Sequence, residues 1–220
     1  MKDKVIIFGT GDISQIAAFY LSEEKEYEVI AFTMDSNFIK DDEFQNKPLV
    51  AFETLEEEYP PDEYKLFIPL SYTDINKLRE KKYLEAKNRG YKFISYISKK
   101  ASIANNSTIG ENCFIFEDNT IQPFVKIEDN CILWSGNHIG HHSTIKKNVF
   151  ISSHVVVAGG CTIGENSFLG VNATLRDHIS IGKYNIIGMG ALILRSTEAD
   201  SVFVEKATEI SSKSSHELKL

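Results

Sequence analysis

From residue 101 onward the chain keeps a period of six so strictly that 16 consecutive hexads can be cut without an insertion. The third residue of every hexad is aliphatic, from Ile103 and Ile109 through Ile139, Ile145 and Ile151 to Ile187 and Ile193. The first residue of most hexads is small or compact, as at Ser107, Cys113, Cys131, Ser143, Cys161 and Ala173. Both positions must therefore point inward. A single coil cannot bury such a row alone, so coils have to stack on one another. A longer period of 18 is superposed: "STIGEN", "VKIEDN", "STIKKN", "CTIGEN" and "ISIGKY" begin at 107, 125, 143, 161 and 179. Three hexads thus close one triangular coil. The expectation is a solenoid of about five coils, roughly 4.8 Å apart because successive coils pair as strands. All three cysteines fall on the small inward position, with no CxxC pair or secreted disulfide pattern, and read as small buried hydrophobes.

Residues 1–98 follow different periods. Apolar runs such as "KVIIFG", "YEVIAFTMD" and "YKLFIPL" alternate with helical patterns such as "DISQIAAFYL" and "DINKLREKKYLEAKNRG". That order predicts an α/β unit, a parallel sheet with crossover helices. Ile13, Ile16, Ala17, Tyr20 and Leu21 share one helix face, and Gly90 is placed to end the last helix. This part holds 19 acidic and 13 basic side chains, against 12 and 11 in the rest. Without a Lys/Arg-rich stripe, counterion release has no source, so nucleic acid is not an expected partner. No apolar run reaches membrane-spanning length and the first residues lack a signal-peptide pattern, so the expected location is cytoplasmic, with no membrane partner.

The stretch "NHIGHHSTI" places three of the six histidines within five positions. In the hexad frame His138 points outward from a face, while His141 and His142 fall on the corner that follows. Two readings stand for a corner pair: a solvated turn, or a site. One coil later the same corner reads Ala158, Gly159, Gly160, where a ligand could approach the backbone and a free N–H could stabilise an oxyanion. Residues 141, 159, 177 and 195 share one corner in successive coils, which puts Arg195 roughly 14 Å from His141. That leaves Arg195 either a contact for an anionic ligand or a solvated side chain. Gly188 and Gly190 would let a cofactor lie close to the backbone.

In the first part, "GTGDIS" follows a strand and opens a helix, with Ser14 where a dinucleotide fingerprint has its third glycine. Asp35 ends the second strand, a position from which a carboxylate accepts a ribose hydroxyl. Ser71, in "PLSYTD", is either a cleft residue or a helix N-cap. Trp134, the only tryptophan, would stack on a ligand ring or be buried between subunits. Phe114, Phe150 and Phe168 lie on one outward face at multiples of 18, an apolar stripe expected at an interface.

The opening "VIIFGTGD", the hexads, "IGHHSTI" and, 18 residues on, "VAGGCTIGENSFLGVNA" resemble the sugar O-/N-acyltransferase family of the sialic acid O-acetyltransferase and bacillosamine or perosamine N-acetyltransferase type, over nearly the whole chain. The resemblance implies a small Rossmann-like nucleotide-sugar-binding domain over 1–98, a left-handed parallel β-helix over 99–196 and a tail over 197–220. It implies acetyl-CoA as co-substrate, no metal, and a homotrimer with sites between subunits. His141 becomes the candidate general base, with His142 beside it, and Gly159 the oxyanion donor that also meets the thioester. Gly11, Asp35 and Ser71 would line the nucleotide-sugar cleft, with Trp134 and His138 on the acceptor side.

The sequence also departs from the family's pattern. His142 stands where a carboxylate is common beside the base, and Phe150 where a second histidine is usual. His154, on another corner, would take over the acyl-donor contact if a neighbouring subunit brought it to the site. Glu205, Lys206 and Thr208 break the family's tail segment. The implied reaction is N-acetylation of a nucleotide-linked amino-deoxy sugar for a surface glycan, with sugar O-acetylation as the alternative. A zinc site of the γ-carbonic anhydrase type is a third reading, which His138, His141, His142 and His154 do not match in spacing.

Overall fold

The computed structural model describes residues 2–217. Val5, Ile6 and Ile7 form an unbroken apolar run because their strand, β1 (Asp3–Phe8), is covered on both faces. The chain continues through α1 (Asp12–Glu23), β2 (Tyr27–Met34), β3 (Glu43–Phe44), β4 (Lys47–Ala51), a short α2 (Leu55–Glu58), β5 (Lys65–Phe67), α3 (Lys77–Asn88) and β6 (Lys92–Phe93). The six strands make one mixed sheet in the order β3-β4-β2-β1-β5-β6, parallel except for the β3–β4 hairpin. Side chains alternate between its faces. Val5 and Ile7 pack with Ala17 and Leu21 of α1, whereas Ile6 and Phe8 pack with Leu55, Tyr83 and Ala86. Gly90 (φ +88°) follows the end of α3, as its position in the sequence predicts.

The hexads fold as their spacing requires. Sixteen two-residue strands, from Ser102–Ile103 to Leu192–Ile193, occupy the second and third positions of the hexads and form three parallel faces of a β-helix. Each strand pairs with the one 18 residues away, as in His138 with Val156 and Ile139 with Val157. The aliphatic row fills the interior, joined by the buried, unpaired Cys113, Cys131 and Cys161. Tyr96–Ile97 starts the first face before the hexads begin. Val202–Phe203, within the expected tail, adds a last strand to that face by pairing with Ile186–Ile187.

The corners have a backbone rule of their own. From Asn112 to Gly190 the last residue of every hexad has a positive φ. Asparagine and glycine tolerate that conformation best, and histidine is enriched there as well. His142, His154 and His178 are three such corner residues, with φ of +61°, +58° and +57°. His141 is not among them, so backbone conformation does not account for it.

The aromatic stripe is the main correction to the sequence reading. Phe114 and Phe150 do point outward from the prism, yet they are 1 % and 2 % exposed. The chain's own N-terminal sheet and α1 lie over them, packing Val5, Ile7, Ala17 and Leu21 into the same cluster. At Phe114 and Phe150 the stripe is therefore an interface within one chain, while Phe168 on the same face is only partly buried.

Candidate active site

His141 and His142 stand at the corner between the second and third faces. The His141 N–H donates to Gln122 Oε1 of the preceding coil at 2.9 Å, and its carbonyl accepts the Gly160 N–H of the following coil at 2.7 Å. Its backbone is thus pinned from both sides while its ring stays exposed to solvent. His142 leans on the Phe124 ring, 4.6 Å away between centroids. The two imidazoles meet edge to face with Nδ1 to Nδ1 at 3.1 Å. A hydrogen bond at that distance needs one Nδ1 protonated and the other bare.

Gly159 explains why this corner has no side chain one coil on. A Cβ built there would stand 2.6 Å from Cε1 and 2.7 Å from Nε2 of His141. The imidazole thus occupies the space that a side chain at Gly159 would take, with Cε1 and Nε2 nearest. The Gly159 N–H has no hydrogen-bond acceptor among the described residues. The His141 ring and a backbone amide without an acceptor among the described residues thus belong to one corner, on successive coils.

A separate cavity of about 580 Å³ opens along the seam between the N-terminal sheet and the β-helix. Gly11, Asp12, Ile13 and Ser14, at the start of α1, form one wall; Ser71 and Tyr72 form the second, and Trp134, Phe150, Ser152 and Ser153 the third. Trp134 is stacked on Phe116, centroids 4.6 Å apart and planes within 11°. Tyr72 rests edge-on against Phe150 at 5.1 Å and tilted against Phe168 at 4.7 Å.

The other expected residues divide between these two places or fall outside them. Gly11, Ser71 and Trp134 line the cavity. Ser71 caps no helix, since the residue before α3 is Asn76. Asp35 is outside the cavity wall, paired with Lys82 at 2.5 Å. His138 is half-exposed on the second face, in strand register with Thr120 and Val156. His154 lies on the corner between the first and second faces, its ring over Gly136. Gly190 is on that corner two coils higher, with open space around it, whereas Gly188 is closed by the carbonyl of Phe203. Arg195 is exposed on the corner column of His141. Sequence reasoning missed Gln122 and Tyr72: one acts through a neighbouring coil, the other through a loop of the first domain.

The cavity wall at Ser153 and the corner at Gly159 are six residues apart along one face, which spans at most about 20 Å at the strand rise per residue. In one chain the cavity and the histidine pair thus occupy different corners. Among the described residues no three His, Cys, Asp or Glu side chains converge as a zinc site requires. Among them, too, no helix is long and apolar enough to cross a membrane.

A mixed N-terminal sheet docked on a parallel β-helix of hexapeptide coils is the class that this architecture defines, and solved structures share it nearly end to end. The acetyltransferase domain of PglB from Neisseria gonorrhoeae FA1090, in complex with acetyl coenzyme A, is similar with a TM-score of 0.82 at 18% identity, covering 93% of this chain and 97% of that one. A variant of perosamine N-acetyltransferase from Caulobacter crescentus, in complex with CoA and GDP-perosamine, gives 0.83 at 21% identity over 96% and 97%. WeeI from Acinetobacter baumannii AYE gives 0.67 at 17% identity over 93% and 97%. A family described as the GMPPB C-terminal domain matches residues 94–192, the coils alone. No curated protein sequence matches the chain.

Proposed function

We propose that this protein is an acyltransferase that moves an acetyl group from acetyl-CoA to the amine of a nucleotide-linked amino-deoxy sugar. The observation that carries the reading is the His141 imidazole lying over Gly159 with its Nδ1 on His142. For His141 to accept a proton at Nε2, its Nδ1 must carry the hydrogen and donate to His142. His142 then holds the bare Nδ1 and fixes the tautomer of the base, the task a carboxylate performs in other sites. The acceptor amine attacks the thioester carbon and gives its proton to His141 Nε2. The Gly159 N–H stabilises the tetrahedral oxyanion. Collapse breaks the carbon–sulfur bond, and the coenzyme A thiolate recovers the proton from His141 as the amide forms.

The cavity suits the nucleotide sugar. The free N–H groups at the start of α1, with Gly11 as N-cap, favour a diphosphate. Trp134 and Tyr72 offer aromatic surface to the rings, and the volume falls in the usual range for a ligand of this size. Similarity to the PglB acetyltransferase domain, solved with acetyl coenzyme A, and to perosamine N-acetyltransferase, solved with GDP-perosamine, supports the substrate classes. We place the nucleotide part in a Rossmann-like domain over 1–98 and the chemistry on a left-handed β-helix over 99–196.

Because cavity and histidine pair lie on different corners, the proposal includes a homotrimer in which one subunit's corner faces another's cavity. Arg195 above His141, and His154 with Gly190 on the other column, would then line coenzyme A from two subunits, while His138 faces the acceptor; Gly188, closed by Phe203, is left out. A cytoplasmic setting and a role in surface-glycan synthesis complete the reading. Release of free thiol from acetyl-CoA tests it, with UDP-, GDP- and dTDP-linked sugars carrying or lacking an amine. Release only with amine-bearing sugars supports N-acetylation. Release only with sugars that lack an amine moves the assignment to O-acetylation, and none with any sugar removes it.

A further inference from the structure

The loop that brings Ser71 and Tyr72 to the cavity is held in an unusual backbone state. Asp74, Ile75 and Asn76 are three consecutive non-glycine residues with φ of +50°, +49° and +65°. Left-handed conformations normally occur singly, and a β-branched residue such as Ile75 adopts them reluctantly. A turn of this kind persists only where its surroundings over-determine it, and such turns cluster at ligand sites. Here the surroundings can be named.

Asn76 occupies the N-cap of α3, but its side chain caps nothing. It is fully buried, and its amide donates to the carbonyls of Asn166 (2.8 Å) and Ser167 (3.3 Å) on the β-helix. Its Oδ1 accepts from Arg79 Nη1 at 2.9 Å. Arg79 is fully buried as well and meets no carboxylate; every partner is a carbonyl or amide oxygen. Two donations go to the coils, Nε to Asn130 O (3.2 Å) and Nη2 to Asn148 O (2.7 Å). Two more go to the loop, from Nη1 to Leu70 O (3.1 Å) and Ser71 O (3.0 Å). Burial lowers the guanidinium pKa to about 10, so the cation persists at neutral pH. One planar fork thus ties the carbonyls of the cavity loop to those of the β-helix, as only a guanidinium can.

We propose that Arg79 and Asn76 are positioning residues for ligand recognition: they clamp residues 69–76 to the β-helix so that Ser71 and Tyr72 stand ready as a wall of the nucleotide-sugar site. This rests on the cavity being that site. The clamp touches no ligand, and it acts on the half of the site remote from the histidine corner. Its loss should therefore weaken nucleotide binding and leave coenzyme A binding unchanged.

The test uses the full chain with Arg79→Gln and, as a milder change, Asn76→Gly, which keeps the left-handed conformation accessible while removing the amide. Affinities for UDP, GDP and dTDP, and separately for coenzyme A, are measured by calorimetry. Hydrogen exchange is followed over residues 69–76. The clamp predicts faster exchange confined to that loop, nucleotide affinity lower by about tenfold or more, and unchanged coenzyme A affinity. Unchanged nucleotide affinity in a folded variant would overturn it. So would a parallel loss of both affinities with faster exchange throughout the coils, the mark of a merely structural residue. Should the unaltered protein bind none of the three nucleotides, the substrate reading fails instead. The exchange pattern then still decides whether the clamp orders the loop.

Discussion

At His141 the decisive relation is to a residue that has no side chain. Because a Cβ on Gly159 would collide with the imidazole, Gly159→Ala should displace the proposed base while leaving the coil folded. His141→Ala should lower kcat by roughly 10²- to 10⁴-fold, the usual contribution of a positioned base. Gly159→Ala should approach that loss, and His142→Ala should cost less because only the tautomer is released. Steady-state kinetics beside melting curves check all three. Wild-type turnover in Gly159→Ala would show that the ring need not lie where it does. The sequence exposed the pair and the glycine through the period of 18. It did not separate His142, a left-handed corner residue, from His141, because that distinction lies in φ. Asp35 shows a different limit: its place after a strand is where a carboxylate can accept a ribose hydroxyl, and nothing in the sequence shows that Lys82 of α3 pairs with it at 2.5 Å.

Between elements, two polar seams join the halves of the chain. Along one corner the left-handed asparagines stack as a ladder, Asn112 to Asn130 (2.7 Å), Asn130 to Asn148 (2.8 Å) and Asn148 to Asn166 (3.1 Å). Its ends are tied to the first domain at Ile68 and at Glu80 of α3. Asn130→Gly keeps the turn but leaves two buried amides short of a partner, so it should destabilise by about 1–3 kcal/mol in urea unfolding. A loss near zero would mean that water replaces the rung.

The second seam is Glu117, which accepts from Tyr20 of α1 (2.9 Å) and Ser135 of the next coil (2.8 Å). Burial pushes its pKa up, but hydrogen bonds from its own N–H, Ser135 and Tyr20 outweigh this and hold it below the usual value. Burial and the Glu117 bond raise Tyr20 to about 12. A carboxyl depressed in the fold contributes stability above its unfolded pKa and loses it as pH falls through the lowered one. Glu117→Gln should therefore flatten the acid side of the stability curve; an unaltered acid limb would contradict this. The asparagines ending "GEN", "EDN" and "KKN" recur with the period of 18, which places them on one corner but does not by itself show that their amides bond. The seam partners leave no such trace, because Tyr20 and Glu117 are 97 residues apart and share no period.

For the whole molecule, the strict hexads made the β-helix readable from the sequence alone, since only stacked coils bury such a row. The docking of the first domain was not readable. Hexad position two points outward whether solvent, a partner or the same chain lies beyond it, so the sequence does not say which of these covers Phe114 and Phe150. A shared site now rests on the separation of the cavity from the histidine corner. Co-expressing His141→Ala with Trp134→Ala chains should restore part of the activity that each lacks alone, because some mixed trimers would join an intact corner to an intact cavity. Light scattering should give three times the chain mass. No restored activity, together with a monomeric mass, would confine the site to one chain. The most direct measurement of the central claim is mass spectrometry of the product formed from acetyl-CoA and a nucleotide-linked amino sugar. The account predicts one added acetyl group, held as an amide that survives mild alkali, and none in the His141→Ala reaction. An alkali-labile ester, or equal product from His141→Ala, would contradict it.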